Sequence, residues 1–79
     1  MALDSLTDVD TAILDIEHQW WPTAGRKEDA IRDLLGMAPT RYYQRLTQLA
    51  DTEAALAHDA VTVNRVRRLR SRVPFFGAR

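Results

Sequence analysis

No cysteine occurs in the 79-residue chain, which excludes disulfides, thiolate-held zinc and a cysteine nucleophile, the usual reinforcements of very small domains. Long apolar runs are missing too: nothing approaches the ~20 residues that cross a bilayer. The opening residues 1–10 lack both the basic start and the apolar run of a secretory signal, so a soluble, cytoplasmic protein is expected. Net charge is also absent, because 11 basic and 11 acidic side chains cancel. Phosphate-binding glycine loops, internal repeats, low-complexity segments and strand-like alternation do not occur. What remains is room for a single domain over residues 1–79, with 1–6 and 74–79 read as tails. A domain this small buries only about 60% of its unfolded surface, so a well-packed helical core or association must stabilise it.

The neutral total hides a split. Residues 1–33 hold eight acidic and three basic side chains, and residues 34–79 hold three acidic and eight basic. An arginine-rich second half suits a polyanionic partner, provided that local geometry supplies the affinity.

Helical spacing runs through the chain. Thr7 and Asp10 form a capping-box pattern ahead of Val9, Ile13, Ile16 and Trp20, predicting a helix over residues 8–20 that Pro22 stops. A second helix is expected over 26–35, with Ala30, Ile31, Leu34 and Leu35 as its buried stripe and Gly36 at its end. Pro39 is pre-set for the first turn of a third helix, over 39–50. Asp51 and Asp59 both suit N-caps, predicting helices over 52–58 and 60–72; the break rests only on Asp59, and one merged helix is the alternative. The expected fold is all-α, a compact four- to five-helix domain containing a helix-turn-helix.

That motif is two short helices joined by a tight glycine-containing turn, with the second helix able to enter the major groove. Here it spans residues 28–49, with Ile31, Leu35, Met37, Tyr42 and Leu46 where the helices would meet. Arg32 and Ala38 depart from the pattern, since a small residue and a capping serine are commoner at those places. On helix 3, Tyr42, Leu46 and Leu49 share one side. Arg41, Gln44, Arg45 and Gln48 fall within an arc of about 100° on the other. Arginine can pair with guanine O6 and N7, and glutamine with adenine N6 and N7, so these four are the candidate base-reading residues. Thr40 and Tyr43 are candidate contacts to the DNA backbone, as are Arg65, Arg68 and Arg72 along one edge of the last helix. Those arginines could equally pair with Asp8, Asp15 or Glu17.

Trp20 and Trp21 read as one core residue and one partly covered neighbour. His18 and His58 lack metal-ligand spacing, so no metal or other cofactor is expected. The pairs Asp8/Asp10 and Asp15/Glu17 have no nucleophile beside them, and a chain this short offers little room for a pocket, so no enzyme is expected. The apolar arc of Val66, Leu69 and Val73 is too narrow to favour a membrane surface.

The segments from Ala12 to Glu17, Trp20-Trp21, Lys27 to Arg32, Arg41-Tyr42-Tyr43-Gln44 with Leu46, His58-Asp59 and Val63 to Arg70 resemble a family of small actinobacterial proteins, a domain of unknown function of the DUF3263 type. The likeness covers nearly the whole chain. It implies a helix-turn-helix-like fold and an actinobacterial or phage origin, and it supplies no activity. Relatives carry proline where this chain has Glu53 and Ala60, and a longer basic tail than Phe75-Phe76-Gly77-Ala78-Arg79.

Two functions compete. In the first, a transcriptional regulator binds duplex DNA, and Val73, Phe75 and Phe76 either supply the contact of a homodimer or fold back over the core. In the second, an adaptor docks on RNA polymerase, a sigma factor or another host protein through helix 3 or Trp20-Trp21.

Overall fold

The structure, a computed structural model, describes residues 6–72, and side chains as far as residue 70. The Arg72 side chain and the expected apolar contact of Val73, Phe75 and Phe76 lie outside the described residues. Among the described residues five helices follow one another: α1 (Asp8–His18), α2 (Ala24–Ala30), α3 (Pro39–Leu49), α4 (Glu53–His58) and α5 (Ala60–Arg72). A π-helical turn, Ile31–Leu35, continues α2. Among the described residues there is no strand, and no helix is long and apolar enough to cross a membrane.

At the start of α1 the capping box closes as the sequence implies. Thr7 Oγ1 accepts from Asp10 N–H at 3.0 Å, and the Asp10 carboxylate accepts from Thr7 N–H at 3.3 Å. The first turn faces α3 through Asp10, which is buried, so Val9 turns to solvent rather than joining the stripe. The helix ends at His18, two residues earlier than its periodicity predicts, because Gln19 is extended. The Trp21 indole N–H then donates at 2.9 Å to the Ile16 carbonyl, which also accepts from the Gln19 N–H at 3.2 Å. Trp21 is half-buried against the core, whereas Trp20 leaves the helix face and is 83% exposed. The expectation that Trp20 closes the apolar stripe of α1 is therefore corrected.

The second helix begins earlier than expected, since Thr23 caps it by accepting from Arg26 N–H at 3.1 Å. Its π turn was not foreseen. A π turn is wider than an α turn, so Leu35 stays beneath the buried Ile31 while Leu34 swings out to 69% exposure. Leu34 is thus removed from the predicted buried stripe. Arg32 is exposed and lies 3.6 Å from Asp29, away from the partner helix.

Gly36 ends this segment at φ +65°, ψ +27°, its N–H bonded to the Arg32 carbonyl at 2.9 Å. Nothing lies within 4 Å of where a Cβ would sit, so Gly36→Ala should cost only the left-handed backbone penalty, about 1–2 kcal/mol. The drop in denaturation midpoint at unchanged m-value measures it.

Pro39 occupies the first turn of α3, and Ala38 gives that helix no side-chain cap. Asp59 separates α4 from α5, and its carboxylate caps α5 by accepting from Thr62 N–H at 3.1 Å. α1 lies centrally, packed against α3, α5 and the π turn. The core joins Ile13, Leu14 and Ile16 of α1 to Ile31, to Tyr42, Leu46 and Leu49 of α3, to Ala50 and Ala55, and to Val63 and Val66 of α5. On α5 the buried edge is Thr62, Val63 and Val66, leaving Leu69 half-exposed.

Candidate functional site

The outer face of α3 carries Arg41, Gln44, Arg45 and Gln48, all exposed, opposite the buried Tyr42, Leu46 and Leu49. Thr40 beside them is also exposed. Among the described residues no ion pair involves Arg41.

Arg45 is held differently. Its Nε and Nη2 each donate to the Asp10 carboxylate at 2.9 Å, and its Nη1 donates to Gln48 Oε1 at 3.1 Å. Asp10 is 4% exposed, whereas the Arg45 side chain is 43% exposed, so the pair reaches from the core edge to solvent. Hydrogen bonding from Arg45 holds the Asp10 carboxyl below the usual carboxylate range, and the same bond raises Arg45. Periodicity identifies Asp10 as a capping residue; its second role needs the tertiary placement of α3 against α1.

Behind this face sits a polar cluster. Glu17 Oε1 accepts from Lys27 Nζ at 2.7 Å and from the Tyr42 hydroxyl at 2.8 Å. Lys27 Nζ lies 5.1 Å from the Tyr43 ring centroid and 5.7 Å from that of Tyr42, within cation–π range. The two tyrosine rings meet edge to face at 4.9 Å. Burial first, and then the Glu17 charge, push the Tyr42 phenol pKa up, so it remains a hydroxyl donor. The only lysine of the chain is thereby fixed under the face, and Tyr43 is half-buried.

The arginines of α5 divide between structure and solvent. Arg65 Nη2 donates to the Glu17 carbonyl at 2.5 Å, Arg67 Nε to the Ala50 carbonyl at 2.6 Å and Arg70 Nη1 to the Thr47 carbonyl at 3.1 Å. Arg70 also binds Asp51 at 2.8 Å. Arg67 and Arg70 therefore bring two cations to the C-terminal, negative end of α3, a role that reading Arg65, Arg68 and Arg72 as one edge overlooked. Their i, i+3 spacing is the available signal. Arg68 is exposed.

His18 Nδ1 lies 2.9 Å from Asp59 Oδ2, and His58 Nε2 lies 3.3 Å from Asp15 Oδ1, linking α1 to the α4–α5 junction. Bonds from Thr62 hold the Asp59 carboxyl low, as bonds from Arg70 do for Asp51. Asp10, Asp51 and Asp59 all titrate lower when folded, so each adds stability above the unfolded carboxyl pKa of about 3.9 and loses it as pH falls through the folded value. The urea midpoint should therefore hold from pH 7 to about 5 and fall progressively below about 4. A midpoint that rises on acidification would contradict these assignments.

Among the described residues no group of three or more His, Cys, Asp or Glu side chains comes together to hold a metal ion. A family model described as "Protein of unknown function (DUF3263)" matches residues 5–73. No curated protein and no solved structure matches the chain.

Proposed function

The chain belongs to the DUF3263 family, and since that description assigns no activity, we propose from the geometry that the protein binds duplex DNA as a transcriptional regulator. In this reading α2 with its π turn, the Gly36 corner and α3 act as a helix-turn-helix, and α3 lies in the major groove. One observation carries it: Arg41, Gln44 and Gln48 stand exposed on a helix whose other face is locked into the core by Tyr42, Leu46 and Leu49. The protein would act in the cytoplasm of an actinobacterium, or there after phage infection. Arg41 and Gln44 would meet base edges, because Arg45 is already engaged by Asp10. Arg68 and Thr40, both exposed, would meet phosphates.

Arg41→Ala and Gln44→Ala are each expected to reduce discrimination at one base pair about 10- to 100-fold. Arg68→Ala should weaken binding to all sequences and lower the salt slope by about one. Fluorescence anisotropy with duplex pools at several salt concentrations measures both effects. Failure of the wild type to bind any duplex at low salt ends this reading.

A second reading is favoured by the exposure of Trp20, which stands 83% in solvent in the α1–α2 connection. An aromatic side chain so placed suits an adaptor that docks on RNA polymerase, a sigma factor or another host protein. Retention of such a partner from nuclease-treated lysate, lost in Trp20→Ala, would favour it.

A further inference from the structure

We propose that the cleft between Trp20 and the outer face of α2 receives Phe75 and Phe76 of a second copy of this chain, so that two copies exchange tails. The proposal stands apart from the DNA-binding reading and goes beyond it. The cleft, of about 640 Å³, has Trp20, Trp21, Pro22 and Ala30 as its apolar wall. Leu34, one turn beyond Ala30, is exposed as Trp20 is. An exposed tryptophan and leucine at one cleft mark an interaction site rather than ordinary surface. Asp29 and Asp33 outnumber Arg26 on the rim. Residues 72–79 answer both features, with apolar Val73, Pro74, Phe75 and Phe76 between Arg72 and Arg79 and no acidic side chain.

Chain length decides between the chain's own tail and that of another copy. Helix α5 starts beside the end of α1, where Thr62 Oγ1 lies 3.2 Å from His18 Nδ1. It runs away from the cleft, since Arg70 meets Thr47 and Asp51 at the far end of α3. The ten residues from Thr62 to Arg72 carry the chain about 15 Å along the helix. The four residues from Arg72 to Phe76 span at most about 14 Å, so both phenylalanines stop short of their own cleft, which lies past His18. Area points the same way. Two phenylalanines bury roughly 300–500 Å², the cleft loses a similar area, and reciprocal exchange brings the total to roughly 1,200–2,000 Å², the size of a stable interface. No residue of α3 lines the cleft, so the dimer leaves the face of Arg41 and Gln44 free and supplies the two-fold symmetry that a helix-turn-helix uses on a palindromic site.

Sedimentation velocity of the full chain from micromolar to millimolar concentration tests this, with Trp emission followed over the same range. The wild type should dimerise, and its emission should shift to the blue as Trp20 is covered. Trp20→Ala and the double variant Phe75→Ser/Phe76→Ser should each raise the dimer dissociation constant about 10- to 100-fold. Trp20 is exposed, so its loss leaves the core intact, and circular dichroism confirms the helices of both variants. A chain that stays monomeric throughout, or a dimer that either variant leaves unchanged, overturns the proposal. So does a dilute monomer whose emission is already blue and is shifted to the red by Phe75→Ser/Phe76→Ser, because the tail would then fill the cleft of its own chain. Duplex binding is measured separately, and its failure leaves the tail exchange standing.

Discussion

Tyr42→Ala is expected to lower the free energy of unfolding by about 3–5 kcal/mol, the range for removing a large buried aromatic ring. At about 0.05–0.15 kcal/mol per residue, a chain of 79 residues has only about 4–12 kcal/mol in total, so the variant should be marginally folded or unfolded at 25 °C. The ring is fully buried in the α1–α3 interface, edge to face with Tyr43. Its hydroxyl donates to Glu17 at 2.8 Å, with the Ile13 carbonyl 3.2 Å away. Tyr42→Phe separates the two contributions. It keeps the ring and removes the donor, leaving Glu17 with Lys27, and should cost about 1–3 kcal/mol. Urea unfolding of both variants decides the matter. Equal losses would place the effect in the hydroxyl, and a loss under about 1 kcal/mol in Tyr42→Ala would remove Tyr42 from the core.

Tyr42 also shows what could be read before any coordinates. Its place on the inner face of α3 follows from stepping about 100° per residue, as do those of Leu46 and Leu49. Most punctuation was equally legible: Thr7, Gly36, Pro39 and Asp59 each act where local backbone chemistry puts them, whereas Thr52, not Asp51, caps α4. The failures are of another kind. Trp20 and Leu34 have the right spacing for burial, but Gln19 ends α1 early and the π turn widens the helix beneath Leu34. Pro22 is the signal for the first, since its ring clashes with the carbonyl four residues earlier and disfavours the α region just before it, whereas the π turn has no comparable signature.

On the candidate face the limit is sharper. Sequence gives the four outward positions of α3 and says nothing of what each side chain is bound to. Asp10 reaches Arg45 across 35 residues, and Lys27 reaches Glu17 across 10. Of the pairs between a lysine or arginine and a carboxylate, Asp10–Arg45 joins the acidic first half to the basic second half, whereas Glu17 takes up Lys27 within the first and Asp51 takes up Arg70 within the second. A residue count alone overstates the positive charge offered to a partner, and Arg41 and Arg68 carry more of that offer than their number suggests.

Asp10→Ala follows from this pairing, and its two effects should have opposite signs. Losing the reciprocal arm of the capping box and the two bonds to Arg45 should cost about 2 kcal/mol, discounted for the partial exposure of Arg45. For a domain of this size that lowers Tm by roughly 8–16 °C. Removal of the carboxylate also leaves Arg45 as an uncompensated cation on the α3 face. If that face binds DNA, affinity for arbitrary duplexes should rise at low salt, with a salt slope steeper by about one. Measurement at 10 °C, with folding confirmed by circular dichroism, keeps the two effects apart. A fall in duplex affinity in the folded variant would instead mean that the pinned arginine is the binding-competent one and that Asp10 presents it. Unchanged stability would show that the first turn of α1 holds without its acidic arm.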